Sequence, residues 1–320
     1  MIPTNNAARN LIALAAIWAA LLTAPIWMPP LGGYTALGTR VLVLALAAMS
    51  VNFLLGFTGV LSFGHAAWFG LGAYGAGLSL KFLAASTPLS IVCGTLLGGV
   101  VGALLGALIV RRRGVYFAMV TIAFGQVFYF IAFQWSSLTG GDDGLRGFSR
   151  QPLDFGAFSI DIVSSTNTFY FFILVCFALA AGIMGFILRS PFGRTMIAIR
   201  ENEDRARFLG IPVEFHIWIA FALSCFFVAF AGSLYALLNN FADPKGLHYS
   251  QSGDFVMMAV MGGMRTFWGP LLGAAVFVIV QDHLSSVTVN WMSFVGLLFV
   301  MVVLFFPRGL LGFIRRRGRA

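Results

Sequence analysis

The chain has 320 residues, 59% of them hydrophobic and only 10% charged, with a mean hydropathy of +0.91. Soluble domains carry about 25% charged residues, so this chain cannot cover itself with solvated side chains and is expected to cross a membrane many times. Its net charge of +9 rests on 18 Arg and 2 Lys gathered in a few clusters. That excludes the continuous basic face of a nucleic-acid binder and follows the positive-inside pattern of membrane loops.

In chain order, Arg9 precedes an apolar run at 11–27 that is long enough to span, and Ala24-Pro25 makes a poor signal-cleavage site. The run reads as a retained first helix. Further spans are expected at 38–55, 60–80, 89–110, 115–135, 169–188 and 215–238, each near the roughly 20 residues a bilayer requires. The region 254–280 is too long for one crossing and is interrupted at Gly262-Gly263-Met264-Arg265-Thr266-Phe267-Trp268-Gly269-Pro270, and a last span falls at 291–306.

Charge fixes the orientation. Arg111-Arg112-Arg113, the loop 189–213 and the tail with Arg308, Arg315, Arg316, Arg317 and Arg319 belong on the cytoplasmic side. The segment 136–168 sets Asp142, Asp143, Asp154 and Asp161 against Arg146 and Arg150 and is the external loop. With the N-terminus inside, an odd number of crossings must follow 239–253. Two short segments around the glycine break plus the last span supply three. The expectation is an all-α polytopic bundle, one transmembrane domain over 1–320 with about ten spans and both termini cytoplasmic. Eight spans is the alternative, with the interrupted region entering and leaving as one unit.

Two glycine patterns stand out. Gly94, Gly98, Gly102 and Gly106 recur every four residues and lie on one helix face, which lets a neighbouring helix approach closely. Gly56-Phe57-Thr58-Gly59-Val60-Leu61-Ser62-Phe63-Gly64-His65 weakens a helix. It reads either as a broken helix beside a solute path or as a flexible helix entry.

The chemistry is sparse. Lys81 and Lys245 follow Leu80 and Pro244, so no Gly-Lys-Ser/Thr phosphate loop exists, and there is no His-Glu-x-x-His. No catalytic constellation appears. His65, His216, His248 and His283 stand alone, and Cys93, Cys176 and Cys225 lie in apolar runs without metal or redox spacing, so no metal site is assigned. Asp254, Asp282, Glu214 and Arg40 fall at span ends, and Arg265 in the glycine break. Ion-driven carriers keep ionisable groups in mid-membrane, so the energy source lies outside the chain. The competing class is a self-contained carrier or channel. The polar groups available for a path are Asn52, Ser62, His65, Thr121 and Gln126. The most polar stretch, 200–212, reads as a short amphipathic helix carrying Glu201, Glu203, Asp204, Arg205 and Arg207, stopped by Gly210 and Pro212. Such a helix could dock in a groove on a soluble motor.

Four passages then resemble one family: Gly59-Val60-Leu61-Ser62-Phe63-Gly64-His65-Ala66-Ala67-Trp68-Phe69-Gly70-Leu71-Gly72-Ala73-Tyr74, Arg113-Gly114-Val115-Tyr116-Phe117-Ala118-Met119-Val120-Thr121, Leu138-Thr139-Gly140-Gly141-Asp142-Asp143-Gly144-Leu145, and Gly193-Arg194 through Gly210-Ile211. They resemble a LivM-type permease, the membrane subunit of an ABC importer of the branched-chain amino acid family, in the bacterial inner membrane. The resemblance implies the ABC importer permease fold, a second homologous permease, and two ATPase subunits that hold ATP and Mg, with no cofactor in this chain. It also implies a periplasmic binding protein docking on the external loop at Thr139, Asp142 and Asp143, and coupling to the ATPase through Glu201 to Gly210. Branched-chain amino acids are the implied solute, with urea, amides and aromatic acids as alternatives. Val115 departs from the family, where many relatives carry an acidic residue.

Overall fold

The computed structural model describes residues 5–154, 159–306 and 309–312. The arginines Arg308, Arg315, Arg316, Arg317 and Arg319 lie outside the described residues. The helices are α1 (Asn5–Leu22), α2 (Ala24–Trp27), α3 (Thr35–Thr58), α4 (His65–Phe82), α5 (Thr87–Ile109), α6 (Val115–Gln134), α7 (Ser136–Thr139), α8 (Thr166–Arg189), α9 (Pro191–Glu201), α10 (Glu203–Phe208), α11 (Val213–Asn239), α12 (Tyr249–Gly262), α13 (Gly269–Val287) and α14 (Trp291–Phe305). The all-α expectation holds among these residues apart from a two-residue antiparallel pairing, Leu153–Asp154 with Ser159–Ile160, in the expected external loop.

Among the described residues, seven helices are long and apolar enough to cross a membrane: α3, α5, α6, α8, α11, α13 and the one that begins at Trp291. Their burial sorts them. The apolar stretch of α3 is 89% buried and that of α11 67%, against 33% for α5 and 28% for α6. A helix apolar all round belongs inside, and one that leaves an apolar face uncovered faces lipid or another chain. Leu89, Leu96, Leu104 and Leu108 make such a face on α5.

The opposite face of α5 carries the glycine stripe. Gly98 packs on the Trp68 carbonyl and Gly102 on Cys225, each with room for no Cβ: an added one would lie 2.6 Å from those atoms. Gly94 packs on Gly72 and Gly106 on Phe221. The close-packing expectation is met, and α4, α5 and α11 form one tight unit around Trp68, Phe221 and Cys225.

Three span boundaries need correction. The first run was expected at 11–27, but α1 ends at Leu22. Thr23 donates its hydroxyl to Ala19, and Pro25 opens α2, since proline suits a first helical turn and not an interior. The span expected at 60–80 begins only at His65, because Gly59 adopts φ +77° and ends α3. The region 254–280 resolves into α12 and α13, broken at the expected glycines with Arg265 at φ +71° between them.

Loops gather at two ends. At one, the residues after Gly56 meet the α9–α10 junction and the turn at 263–268. At the other, Leu145 and Ala242 exchange backbone hydrogen bonds of 2.9 and 3.2 Å, Tyr34 donates to Asp282 at 2.9 Å, and Thr35 to Asn167 at 3.1 Å. Arg40 donates to Gln281 there too, at 3.2 Å.

Candidate functional site

The irregular segment 59–64 buries Ser62 and Gly64, and side chains of α6, of α12 and of the segment itself accept from backbone N–H groups at the entry to α4. Phe63 N–H donates to the Thr121 hydroxyl at 3.2 Å, Gly64 N–H to Ser62 at 3.3 Å, and Ala66 N–H to Ser252 at 2.8 Å. These are groups that a starting helix leaves without internal partners. His65, at the head of α4, pairs its Nε2 with Ser224 Oγ at 2.7 Å, and Ser224 donates onward to the Ser50 carbonyl at 2.6 Å. Since the serine proton is committed to Ser50, Nε2 is the donor in the first bond. The helix is therefore broken before His65, with side-chain acceptors at the start of α4.

The five polar residues expected along a path thus divide. Ser62, His65 and Thr121 converge on this break. Asn52 lies on α3 and donates to the Thr266 carbonyl at 3.0 Å, which ties it to the second break at 263–268. Gln126, half-buried on α6, has no partner for its Nε2 among the described residues. Ser224, Ser252 and Thr266 were missed, because nothing in their local sequence shows that a distant backbone group needs a partner.

The polar stretch was expected as one helix and is two. Asn202, extended at φ −160°, ends α9 and caps α10 by accepting from Arg205 N–H at 2.7 Å. Asparagine is among the best N-caps, and Glu203 and Asp204 suit the first turn that follows. Glu201 consequently belongs to α9. Gly210, at φ +80°, closes α10: its N–H reaches Arg207 O at 3.0 Å and Ile211 N–H reaches Ala206 O at 3.2 Å, a Schellman arrangement.

Ala206, Ile199, Val110, Val213 and Ile217 form a small core of their own, with Val60 of the break against it. Around it runs an ion network. Arg113 Nε lies 2.9 Å from Glu203, whose carboxylate lies 3.1 Å from Arg207, and Arg207 lies 2.8 Å from Glu214. Beside it opens a cleft of about 670 Å³ lined by Leu61, Arg112, Met119, Arg200 and Glu203, among others. Asp204 and Arg205 point outward, and beyond them Phe208 is 91% and Leu209 75% exposed. Two large apolar side chains held in the open beside charges went unremarked in the sequence.

At the other end, Asp142 and Asp143 are exposed and make no ion pair among the described residues. Arg146 and Arg150 of the same loop are engaged by the rings of Phe241 and Phe169, at 5.3 and 4.0 Å. Thr139 is buried, its hydroxyl directed to the Ala132 and Trp135 carbonyls at 2.6 Å.

Residues 33–305 match the family described as branched-chain amino acid transport system, permease component. The chain belongs to that family. It is 26% identical over 297 residues to the high-affinity branched-chain amino acid transport permease protein LivM of Salmonella typhimurium, covering 87% of this permease and 70% of the relative. It is 24% identical over 281 residues to BraD of Pseudomonas aeruginosa, covering 84% and 91%, and 28% identical over 215 residues to the L-arabinose ABC transporter permease protein AraH of Azospirillum brasilense, covering 64% and 58%. No solved structure matches. The permease is thus a LivM-type ABC transporter subunit and a multi-pass membrane protein.

Proposed function

We propose that this permease forms half of the gated path of an ATP-driven importer for branched-chain amino acids. It pairs with a homologous second permease and with two ATPase subunits, which hold the ATP and Mg. In this reading the chain is a single domain over 1–320 that crosses the bacterial inner membrane about ten times, with both termini in the cytoplasm. The loop 136–168 faces the periplasm, where Asp142 and Asp143 present negative charge to a solute-binding protein and Thr139 sets the shape of the loop. The loop 189–213 faces the ATPase. Glu203, Asp204, Arg205 and Arg207 of α10, flanked by Glu201 and Gly210, provide the contact. Asn52, Ser62, His65 and Thr121 at the two helix breaks, and Gln126 on α6, are the polar groups assigned to the path.

The observation that carries this is the exposed end of α10. A charged two-turn helix, supported by its own core and ending in the bare side chains of Phe208 and Leu209, is built as an apolar anchor with a polar rim. That is how protein interfaces concentrate their energy. Likeness to LivM and BraD favours branched-chain amino acids, while likeness to AraH makes a sugar the competing solute.

The test reconstitutes the permease with its partner subunits and measures ATP hydrolysis with uptake of leucine and of L-arabinose. Leucine uptake that needs every subunit is expected, and Phe208→Ser or Gly210→Ala should reduce hydrolysis and uptake together, by about tenfold. Normal values in both variants would reduce α10 to a linker. Solute flux through liposomes holding this chain alone would establish a self-contained carrier or channel.

A further inference from the structure

Arg200 is the next-to-last residue of α9, two positions before the Asn202 cap that starts α10. Its side chain leaves the polar helix pair and enters the membrane-embedded bundle. Nη1 donates to the Gly56 carbonyl, in the last turn of α3, where carbonyls have no helical partner. Its stem lies along Gly59, so closely that a Cβ there would sit 2.8 Å from Arg200 Cγ. A charged donor on a neutral acceptor makes one of the stronger hydrogen bonds, and Gly59 leaves the groove in which it forms.

The other side of that same α3 turn is held by the second break. A Cβ on Gly56 would come within 3.2 Å of Arg265 N, and Asn52, one turn earlier, donates to Thr266 at 3.0 Å. The last turn of α3 is therefore gripped from one side by the helix pair and from the other by the α12–α13 turn. Arg200 makes no ion pair among the described residues, and Arg265 opposes it with like charge. Burial and that neighbour hold its pKa below the usual guanidinium value. The adjacent Glu201 attracts Arg200 without forming an ion pair. Arg200 is half-buried, near a second cation, and bonded to a backbone carbonyl at the junction of two irregular segments.

We propose that Arg200 is the positioning residue that joins movement of the α9–α10 pair to both helix breaks, the segment 59–64 and the turn 263–268, so that ATP hydrolysis and opening of the path run together. This rests on the coupling role proposed above for α10. The α10 surface itself does not include Arg200, so the ATPase contact survives its loss while transmission does not.

The experiment uses the complex assembled with its partner subunits in proteoliposomes. Arg200→Gln should keep ATP hydrolysis within about twofold of the parent while leucine uptake falls at least tenfold, and Arg200→Lys, which retains a donor, should recover at least a third of the uptake. Spin labels give a second measurement, whose parent arm does not depend on the variant folding. With Val163→Cys as the outer reference, the distances to Arg194→Cys on α9 and to Met264→Cys in the second break should both change when ATP binds. In the Arg200→Gln background only the first should change.

Uptake unaffected by Arg200→Gln overturns the proposal, as does loss of hydrolysis and uptake in equal measure by an assembled variant. So does a parent complex in which the Arg194 distance shifts and the Met264 distance stays fixed. A parent complex that neither assembles with nor stimulates an ATPase counts against the importer reading instead, and is seen before any variant is made.

Discussion

Gly59 combines a left-handed backbone at φ +77° with the Arg200 stem 2.8 Å from where a Cβ would stand. Gly147 shares the backbone, at φ +82°, with open space around it. Alanine in the left-handed region costs roughly 1–2 kcal/mol, so both substitutions should destabilise, and Gly59→Ala should do so further by pushing Arg200 off Gly56. A thermal scan of detergent-solubilised protein should place Gly59→Ala below Gly147→Ala by about 2–5 °C. Equal midpoints would mean that the Arg200 contact contributes nothing to stability. At this scale the sequence shows which side chains are polar and buried in apolar runs, and Asn52, Ser62, His65 and Thr121 all proved to sit at helix breaks. It does not show their partners. For Asn52, Ser62 and Thr121 those are backbone groups at the irregular segments, and for His65 the hydroxyl of a serine far along the chain; which groups need partners depends on where each helix starts, which hydropathy leaves open.

At the scale of the helix, the α5 stripe was legible because a spacing of four is a property of sequence alone. What lies against the stripe was not. Backbone atoms form much of that surface, the Trp68 and Gly72 carbonyls among them, and backbone cannot swing aside as a side chain can. Gly98→Val should therefore force α4 and α5 apart and abolish the monodisperse peak in size-exclusion chromatography. Gly182→Val on α8, where nothing lies within 4 Å of an added Cβ, should elute as the parent does. Matching profiles would show that the stripe is incidental. The misread boundaries share a cause. Residues 60–64 are apolar enough to look like helix, and only the Gly59 backbone says otherwise. Residues 200–209 hold enough helix-forming residues to look continuous, and only the Asn202 cap, a readable signal outweighed by its neighbours, divides them.

For the whole molecule, the remaining question is how many times the chain crosses. The helix α12 has 14 residues, about 21 Å at 1.5 Å per residue, against a hydrocarbon core of about 30 Å, so length alone does not make it a span. Its far end supplies the argument for the proposed count. Arg265 N stands beside Gly56, which Arg200 also contacts, so the turn 263–268 shares an end with the loop 189–213. Gly309, beyond α14, packs on Gly263 at that same end. With α13 leading away toward Asp282 and Tyr34, the proposed ten-crossing topology counts the three helices as three legs. Single cysteines in a background lacking Cys93, Cys176 and Cys225 test it, using a membrane-impermeant maleimide on right-side-out vesicles. Val163→Cys and Val289→Cys, 42% and 95% exposed in the parent, should label at once, and Arg194→Cys and Met264→Cys only after the membrane is opened. Prompt labelling at 264 would put that turn outside and leave the chain with eight crossings, separating it from the helix pair that Arg200 joins to it here.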